Sequence, residues 1–234
     1  MSAAADLEIR PSPARPDPEL ACELAEAAER LEHAEAPDIL GYAVERFGAG
    51  LVLAASFQDC VLIDLATRVA PDIAVVFVDT GFHFPETIGY LRQVEERFHL
   101  NLEVLSAGLD AATWPCGSER CCELRKVAPL NAYLATRTAW VTGLKRVDTP
   151  NRQDAPVVGW DAGKGLVKVN PIAAWSEDDV EAYVVERDLP RHPLNAFGYF
   201  SIGCAPTTTP VSAGDDPRAG RWAGSVKTEC GLHL

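Results

Sequence analysis

The sequence predicts an α/β protein with a parallel, twisted sheet and helices on both of its faces. Two apolar runs, Leu51–Ala55 and Ile73–Val78, are short and continuous, as in strands that are buried on both sides. Stretches with helical spacing of apolar residues separate such runs, as in chains that connect parallel strands through helices. The length of 234 residues suits one domain with an appendage.

The N-terminal region comes first in the order of elements. Residues 1–17 hold three prolines among Ala, Ser and charged residues, so we expect a disordered tail. Residues 18–35 place apolar side chains at helical spacing, and Pro37 opens a second, shorter helix that ends near Gly48. The α/β domain is therefore expected to span residues 18–209.

The central region alternates between predicted strands and predicted helices. The strands are 51–55, 73–78, 102–105 and 139–142, with an edge strand over 166–169. The helices are 59–69, 85–98, 121–134 and 176–187, and Ser176 and Asp179 have the spacing that caps the last of them. Residues 210–234 are rich in glycine and lack apolar periodicity, so we expect a mobile C-terminal arm or lid.

Charge and composition exclude several classes of protein. The formal net charge is −13, and no basic stripe is present to bind a nucleic acid. No run approaches the roughly 18 apolar residues of a membrane span, and the first 20 residues lack a secretory signal. We expect a cytoplasmic protein with neither a membrane nor a nucleic-acid partner. Its seven cysteines, an odd number, favour metal or catalytic thiols over a disulfide framework.

Three loops follow predicted strands at the edge of the sheet where ligands of such folds bind. The loop at Ser56–Asp59 either cradles an anion with its hydroxyl and N–H groups or caps a helix. The loop at Asp79–Gly81 suits either a ribose contact or an ordinary Asx turn. The third loop begins at Gly143.

Several cysteines lie in patterns that suit chemistry. Cys121 and Cys122 are adjacent and precede Arg125 and Lys126 by one helical turn, which favours metal or cluster ligation over two buried structural thiols. Cys204 lies in a loop of small residues, where backbone N–H groups can bond a cluster sulfur.

Cys230 lies four residues from the last residue, in the predicted arm. Lys227 and His233 are the cations that would lower its pKa, so we predict a nucleophile that the arm carries to the strand ends; an accidental tail cysteine is the alternative. Arg218 and Arg221 on the same arm either close over a sulfate or phosphate or are merely solvated.

At this point the chain resembles the assimilatory adenylyl-sulfate and phosphoadenylyl-sulfate reductases, from roughly Gly41 onward. The most specific match is the terminal Lys227–His233 motif. The other matching segments are Asp79–Phe84, Cys121–Lys126, Trp140–Asp148, Ser201–Cys204 and Arg218–Trp222.

The resemblance implies an adenine-nucleotide alpha-hydrolase-like fold and a two-step reaction. Cys230 would attack the sulfur of the activated sulfate, leaving an S-sulfocysteine on the enzyme, and thioredoxin would then release sulfite. It also implies a catalytic set of Cys230, His233 and Lys126. The implied substrate-binding residues are Ser56, Asp79, Thr80, Gly81, Arg125, Gly143, Lys145, Arg146, Arg218 and Arg221.

The cysteines bear on the cofactor and on the substrate. In this family, paired cysteines with a later Cys-x-x-Cys mark members that carry a [4Fe-4S] cluster and prefer adenylyl sulfate, whereas cluster-free members prefer phosphoadenylyl sulfate. In this chain Cys121, Cys122 and Cys204 match three of the four cysteines of that pattern. Thr207 stands at the position of the fourth cysteine, and Cys116 is a cysteine that the pattern does not include. Three explanations stay open: an oxygen or open site at the fourth iron, a thiolate from Cys116, or no cluster.

The resemblance favours a cluster-type, thioredoxin-dependent adenylyl-sulfate reductase of sulfate assimilation and cysteine biosynthesis. The alternatives are a cluster-free phosphoadenylyl-sulfate reductase and a non-catalytic nucleotide-binding redox or iron sensor. A related ATP pyrophosphatase is disfavoured because the Ser56–Cys60 loop lacks the glycines of a pyrophosphate loop. Related enzymes commonly self-associate, so a homo-oligomer is among the implied partners.

Overall fold

The computed structural model describes residues 15–110, 115–212, 214–223 and 231. Residues 1–14 of the predicted tail and much of the predicted arm lie outside them. The described strands are β1 (Leu51–Ala54), β2 (Ala74–Asp79), β3 (Asn101–Ser106), β4 (Ala139–Val141), β5 (Val158–Asp161) and β6 (Leu166–Val169). The described α-helices are α1 (Pro18–Leu31), α2 (Ala36–Phe47), α3 (Val61–Val69), α4 (Pro85–Phe98), α5 (Glu119–Cys122), α6 (Ala128–Leu134) and α7 (Glu177–Glu186).

The six strands form one sheet in the order β3-β2-β1-β4-β6-β5. All neighbours run parallel except β5, which pairs antiparallel with β6. The α/β class with a mostly parallel sheet is therefore confirmed.

Helices cover both faces of the sheet, as predicted. One face carries Val52, Val76, Trp140 and Leu166, which pack with Leu130 and Leu134 of α6. The alternate residues of the same strands pack on the other face, against α1–α4 and α7. Side chains alternate along a strand, so a continuous apolar run supplies both cores at once.

The prediction that residues 166–169 form an edge strand was wrong. The strand β6 pairs with β4 on one side and with β5 on the other, so β3 and β5 are the edges. The sequence of β5, Val158-Gly-Trp-Asp161, is short and only half apolar, and it was not predicted. A turn in which Gly165 N–H donates to the Asp161 carbonyl at 2.7 Å joins β5 to β6 and sets their register.

Two helix starts follow from their capping residues. Asp17 accepts a hydrogen bond from the Leu20 N–H at 2.9 Å and begins α1. Ser176 and Asp179 form the predicted reciprocal capping box of α7.

The predicted helix 121–134 is helical but contains a π segment over Glu123–Val127. There the Ala128 N–H donates to the Glu123 carbonyl, five residues back. Pro129 follows immediately and has no N–H to donate to the Arg125 carbonyl, so the regular ladder is interrupted at this point. The wide turn sets the direction of Arg125 and Lys126 relative to the two cysteines before them.

The strand order places a crevice at the ends of three neighbouring strands. The chain moves outward from β1 through β2 to β3, then returns to place β4 on the opposite side of β1. The carboxyl ends of β1 and β4 therefore flank a topological switch point, where ligands of open α/β sheets bind. In the described part of the chain, no helix has the length and hydropathy required to span a bilayer.

Candidate active site

A pocket of about 470 Å³ lies at this switch point. That volume is within the usual range for a small-molecule site. The ends of β1, β2 and β4 line it, with Ser56 after β1 and Gly143 after β4. Four predicted cations also reach its wall: Lys126, Lys145, Arg218 and Arg221. The fold thus gathers residues from four separate sequence motifs into one pocket. Its lining also includes five carboxylates: Asp59, Asp148, Glu177, Asp178 and Glu181.

The loop after β1 shows the capping contact, and the anion cradle predicted for it stays a prediction. Asp59 Oδ1 accepts a hydrogen bond from the Val61 N–H at 3.0 Å, so Asp59 caps the first turn of α3. Ser56 lines the pocket instead. Burial raises the pKa of Asp59. Phe57 is fully buried with a positive φ of 55°, an uncommon conformation that turns the loop sharply at the pocket wall.

The loop after β2 forms an Asx turn, in which the Gly81 N–H donates to Asp79 Oδ1 at 2.8 Å. The φ of Gly81 is 73°, which favours glycine. Asp79 and Gly81 are not among the described residues that line the large pocket. Thr80 is buried and lines a second, smaller cavity beside it. The predicted ribose contact by this loop stays a prediction.

Lys145 is buried at the pocket wall and is held by two carboxylates. Its Nζ contacts Glu177 at the start of α7 and lies 3.6 Å from Asp148. Asp148 in turn accepts from Arg152 Nη1 at 2.8 Å. The ammonium group is therefore fixed by a charged network rather than free to follow solvent.

Arg146 and Arg125 are not brought to the large pocket. Arg146 forms a two-pronged ion pair with Glu32, at 2.5 and 2.9 Å, beyond the end of α1. Arg125 is buried and donates to the carbonyls of Thr80, Leu109 and Asp110. In this arrangement Arg125 ties two backbone segments, one at Thr80 and one at Leu109–Asp110, to its own helix.

The described part of the predicted arm is attached to the domain. The Thr209 N–H donates to the Gly220 carbonyl at 2.9 Å, next to a bridge between Thr208 and Arg221. Arg221 Nη1 donates to Ser201 Oγ at 3.3 Å. A Cβ at Gly203 would lie 2.6 Å from Cζ of Arg221, so this glycine makes room for the guanidinium.

Cys230 and His233, the predicted catalytic residues of the tail, lie outside the described residues. Gly231 is described, and a Cβ built on it would lie 3.7 Å from Cγ2 of Val127. Val127 directly follows Lys126, which lines the large pocket. Gly231 therefore lies beside the helical segment that carries Lys126.

Four cysteines line the second cavity: Cys116, Cys121, Cys122 and Cys204. The cavity shares Lys126, Arg221 and Trp222 with the large pocket, so the two sites are adjacent. Cys121 and Cys122 come from α5, whose first turn is closed by Ser118 Oγ accepting from the Cys121 N–H at 3.1 Å. Cys204 comes from the loop before Thr207. The structure thus brings the predicted ligands together.

The thiol of Cys204 is held in a polar environment. Its Sγ lies 3.4 Å from Thr80 Oγ1. A hydrogen bond with Cys116 and the charge of Lys126 lower the pKa of Cys204, and the same hydrogen bond raises the pKa of Cys116. One negative charge is therefore favoured on this pair of thiols, on Cys204.

The donor set of this cavity fits an iron–sulfur cluster. In the described part of the chain, no three His, Cys, Asp or Glu side chains converge on a single metal ion. A [4Fe-4S] cluster has a different requirement, since it takes thiolates on separate irons rather than on one. Four thiols around one cavity match that requirement. Nε of Arg125 is also buried there and has no hydrogen-bond partner among the described residues.

Some pocket residues were not assigned a role from the sequence. Asp148 belongs to a quoted motif, and its i,i+4 spacing to Arg152 was the available signal for their ion pair. His83 and His192 also line the pocket, and burial lowers the pKa of both. His83 lies within the matching segment Asp79–Phe84, which was the available signal for it, whereas nothing in the local sequence distinguishes His192 from a solvated histidine.

The chain belongs to a family of sulfonucleotide reductases. Residues 50–210 match the family model described as "Phosphoadenosine phosphosulfate reductase domain". This confirms the resemblance noted from the motifs.

Relatives that carry the name adenosine 5'-phosphosulfate reductase include proteins from Streptomyces coelicolor and Rhodococcus opacus. The protein from Streptomyces coelicolor is 49% identical over 90% of this chain and 93% of its own. The protein from Rhodococcus opacus is 46% identical over 89% of this chain and 92% of its own.

Solved structures agree with the fold. The phosphoadenylyl-sulfate reductase of Candida auris, solved as a phosphate complex, has a TM-score of 0.70 and 25% identity. It covers 80% of this chain and 96% of its own. The FMN adenylyltransferase of Candida glabrata has a TM-score of 0.58 at 13% identity, with coverage of 86% and 78%, and shows a shared fold only.

Proposed function

We propose that this protein reduces adenylyl sulfate to sulfite and AMP with electrons from thioredoxin. The observation that carries the proposal is the convergence of Lys126, Lys145, Arg218 and Arg221 on one strand-end pocket. A sulfonucleotide carries a phosphate and a sulfate, and such cations suit both groups. The identity to proteins named adenosine 5'-phosphosulfate reductase supports the same substrate.

In the first step the thiolate of Cys230 attacks the sulfur of the sulfo group. An S–S bond forms, the bond from sulfur to the bridging phosphate oxygen breaks, and AMP leaves with that electron pair. The enzyme then carries an S-sulfocysteine. In this proposal Lys126 and Arg221, which line the pocket, stabilise negative charge as it develops on the departing phosphate and on the sulfo oxygens.

In the second step a thiolate of thioredoxin attacks Cys230 Sγ and sulfite leaves. The second thiol of thioredoxin resolves the mixed disulfide, so that Cys230 is freed and thioredoxin becomes oxidised. The two electrons that the substrate gains thus come from the thioredoxin dithiol. This cycle requires a compartment that keeps thioredoxin reduced, which supports a cytoplasmic location.

We also propose that the cavity beside the pocket holds a [4Fe-4S] cluster on Cys121, Cys122 and Cys204. When bound, the cluster would supply iron charge and Lewis acidity next to Lys126. The thiol chemistry above needs only Cys230 and thioredoxin.

The experiment that tests the reaction compares Cys230→Ser with Cys22→Ser. Cys22 is an exposed free thiol on α1, far along the chain from the site, and serves as the matched control. We expect C230S to release no sulfite while it still binds adenylyl sulfate in equilibrium dialysis, and C22S to behave as wild type. Wild-type sulfite release by C230S would exclude Cys230 as the nucleophile.

The second candidate substrate is phosphoadenylyl sulfate, favoured by the likeness to the Candida auris reductase. Measuring kcat/KM with both sulfonucleotides and reduced thioredoxin separates the two reductases. We expect adenylyl sulfate to be used at least tenfold better. Nucleotide binding without any sulfite release would instead indicate the non-catalytic sensor.

A further inference from the structure

One thiol of the cysteine cavity, that of Cys116, lies outside the three cysteine positions that the chain shares with the family pattern. Cys116 belongs to the loop before α5 and is partly exposed. Its Sγ lies 4.0 Å from Oγ1 of Thr207, and its side chain lines the same cavity as Cys204. The side chain at 116 therefore lies beside the side chain at 207, although 91 residues separate them.

Thr207 itself is poorly suited to bind iron. Its hydroxyl donates to the Cys204 carbonyl at 3.3 Å within a short helical turn, Ala205–Thr207. A threonine hydroxyl keeps its proton at neutral pH, and iron–sulfur clusters select thiolates.

We infer that Cys116 supplies the fourth thiolate of the cluster in place of residue 207. This inference rests on the cluster proposed above, and so on the proposed function. The ligands would then be divided three and one: Cys116, Cys121 and Cys122 from one segment, and Cys204 from the other. The loop geometry agrees, since Gly117 has a φ of 104° and a Cβ on it would lie 3.4 Å from Cγ2 of Thr207.

The surroundings of the four thiols suit a group with net negative charge. Arg125, Lys126 and Arg221 all line the cavity, and Arg125 is buried. Thr80 supplies a hydroxyl 3.4 Å from Cys204 Sγ. A cluster with four thiolates carries more negative charge than a cluster with three, so these cations and this donor stabilise it better.

The first test measures iron and acid-labile sulfide per chain in anaerobically purified protein. The variants are Cys116→Ser, the double variant Cys116→Ser/Thr207→Cys, and Cys22→Ser as the control. We expect about four irons in wild type and C22S, about three or fewer in C116S, and about four again in the double variant. Restoration by Thr207→Cys would show that the two positions serve the same iron, because a merely structural defect would not be repaired by that change.

A second measurement uses the wild-type protein and does not depend on the folding of a variant. Anaerobic protein is alkylated before and after removal of iron by a chelator, and each cysteine is quantified by peptide mass spectrometry. We expect Cys116 to react at least tenfold faster after removal of iron. Cys22 is exposed and should react equally in both samples.

The outcomes separate the possible failures. Full iron and sulfide in C116S, or equal alkylation of Cys116 with and without iron, would overturn the assignment of Cys116 while leaving the cluster in place. A wild-type protein without iron would overturn both the cluster and its fourth ligand. Sulfite release with thioredoxin, measured on the same samples, reports on the reductase activity independently.

Discussion

Lys145 and Arg146 are neighbours in the chain, yet the fold gives them different environments. Lys145 is buried at the pocket wall between Glu177 and Asp148. Arg146 is directed to Glu32 and to the carbonyl of Ala155. From the sequence alone both were assigned to the substrate, because adjacent cations in one motif carry no information about their directions.

We predict a kinetic defect for Lys145→Met and almost none for Arg146→Met. Loss of Lys145 should reduce kcat/KM for adenylyl sulfate by about 10- to 100-fold, the usual range for one charge-assisted contact. Loss of Arg146 should leave kcat/KM within about twofold and lower the free energy of unfolding by about 1 kcal/mol or less, because its ion pair is partly exposed. Steady-state kinetics and urea unfolding of both variants provide the check; a large kinetic defect in R146M would contradict the placement.

Gly203 provides a second prediction for a single residue. A Cβ at this position would collide with the guanidinium of Arg221, which is the end of a flexible side chain and can move. Gly203→Ala should therefore displace Arg221 and raise KM for adenylyl sulfate by about tenfold, the effect of losing about 1.4 kcal/mol of contact. The midpoint of urea unfolding should stay unchanged. An unchanged KM would show that Arg221 does not contact the substrate.

Among the elements, the helical segment 119–134 shows what local patterns reveal. Its helicity was predictable from the spacing of its residues, and its two cysteines and two cations were recognised. The π turn at Glu123–Val127 was not predicted, although Pro129 was its visible cause. A proline that removes one hydrogen bond can kink a helix, end it or widen one turn, and packing decides among these outcomes.

The arm is attached by an element too small to predict from periodicity. Gly220 lies against the Thr209 carbonyl, at the bridge that joins Thr208 to Arg221. We predict that Gly220→Ala disrupts this attachment, since backbone atoms cannot yield as a side chain can. Activity should fall more than tenfold, and limited proteolysis should cut the chain faster near residue 220.

Gly89→Ala is the matched control for Gly220→Ala. Gly89 is exposed in α4, and a Cβ there meets nothing within 4 Å. The change should keep wild-type activity and stabilise the protein by about 0.5–1 kcal/mol. Equal protease sensitivity of G220A and G89A would show that the bridge does not hold the arm.

At the scale of the whole molecule, the charge distribution matches one small anion. The chain carries a net charge of −13, with 34 acidic residues against 21 lysines and arginines, yet the lining of its large pocket has six lysines and arginines against five acidic residues. The net charge of the protein can therefore repel polyanions while the cations of the pocket attract one sulfonucleotide.

The dependence of stability on pH should reveal a buried histidine. Burial lowers the pKa of His192 to about 4, whereas the unfolded chain has an ordinary value near 6.5. As pH falls below about 6.5 the unfolded state takes up this proton first, so folding stability is lost on the acid side and is fully present above it.

We predict that wild type loses on the order of 2 kcal/mol between pH 7.5 and pH 5 from this residue. His192→Asn should be less stable at pH 7.5, because the contact with Thr87 at 3.0 Å is lost, but should lose less on acidification. Urea unfolding at the two pH values measures both effects. Equal losses in the two proteins would rule out His192 as the source.

The sequence by itself determined the class of fold and the family, and it led to a predicted set of functional residues. Continuous apolar strands, capping residues and short motifs are local patterns, and local patterns can be seen along the chain. Only the tertiary structure decided that β6 is an inner strand, that Arg146 leaves the pocket and that Cys116 meets Thr207. Those facts depend on which distant segments pack together, and that pairing is set by the burial of the whole core rather than by any one motif.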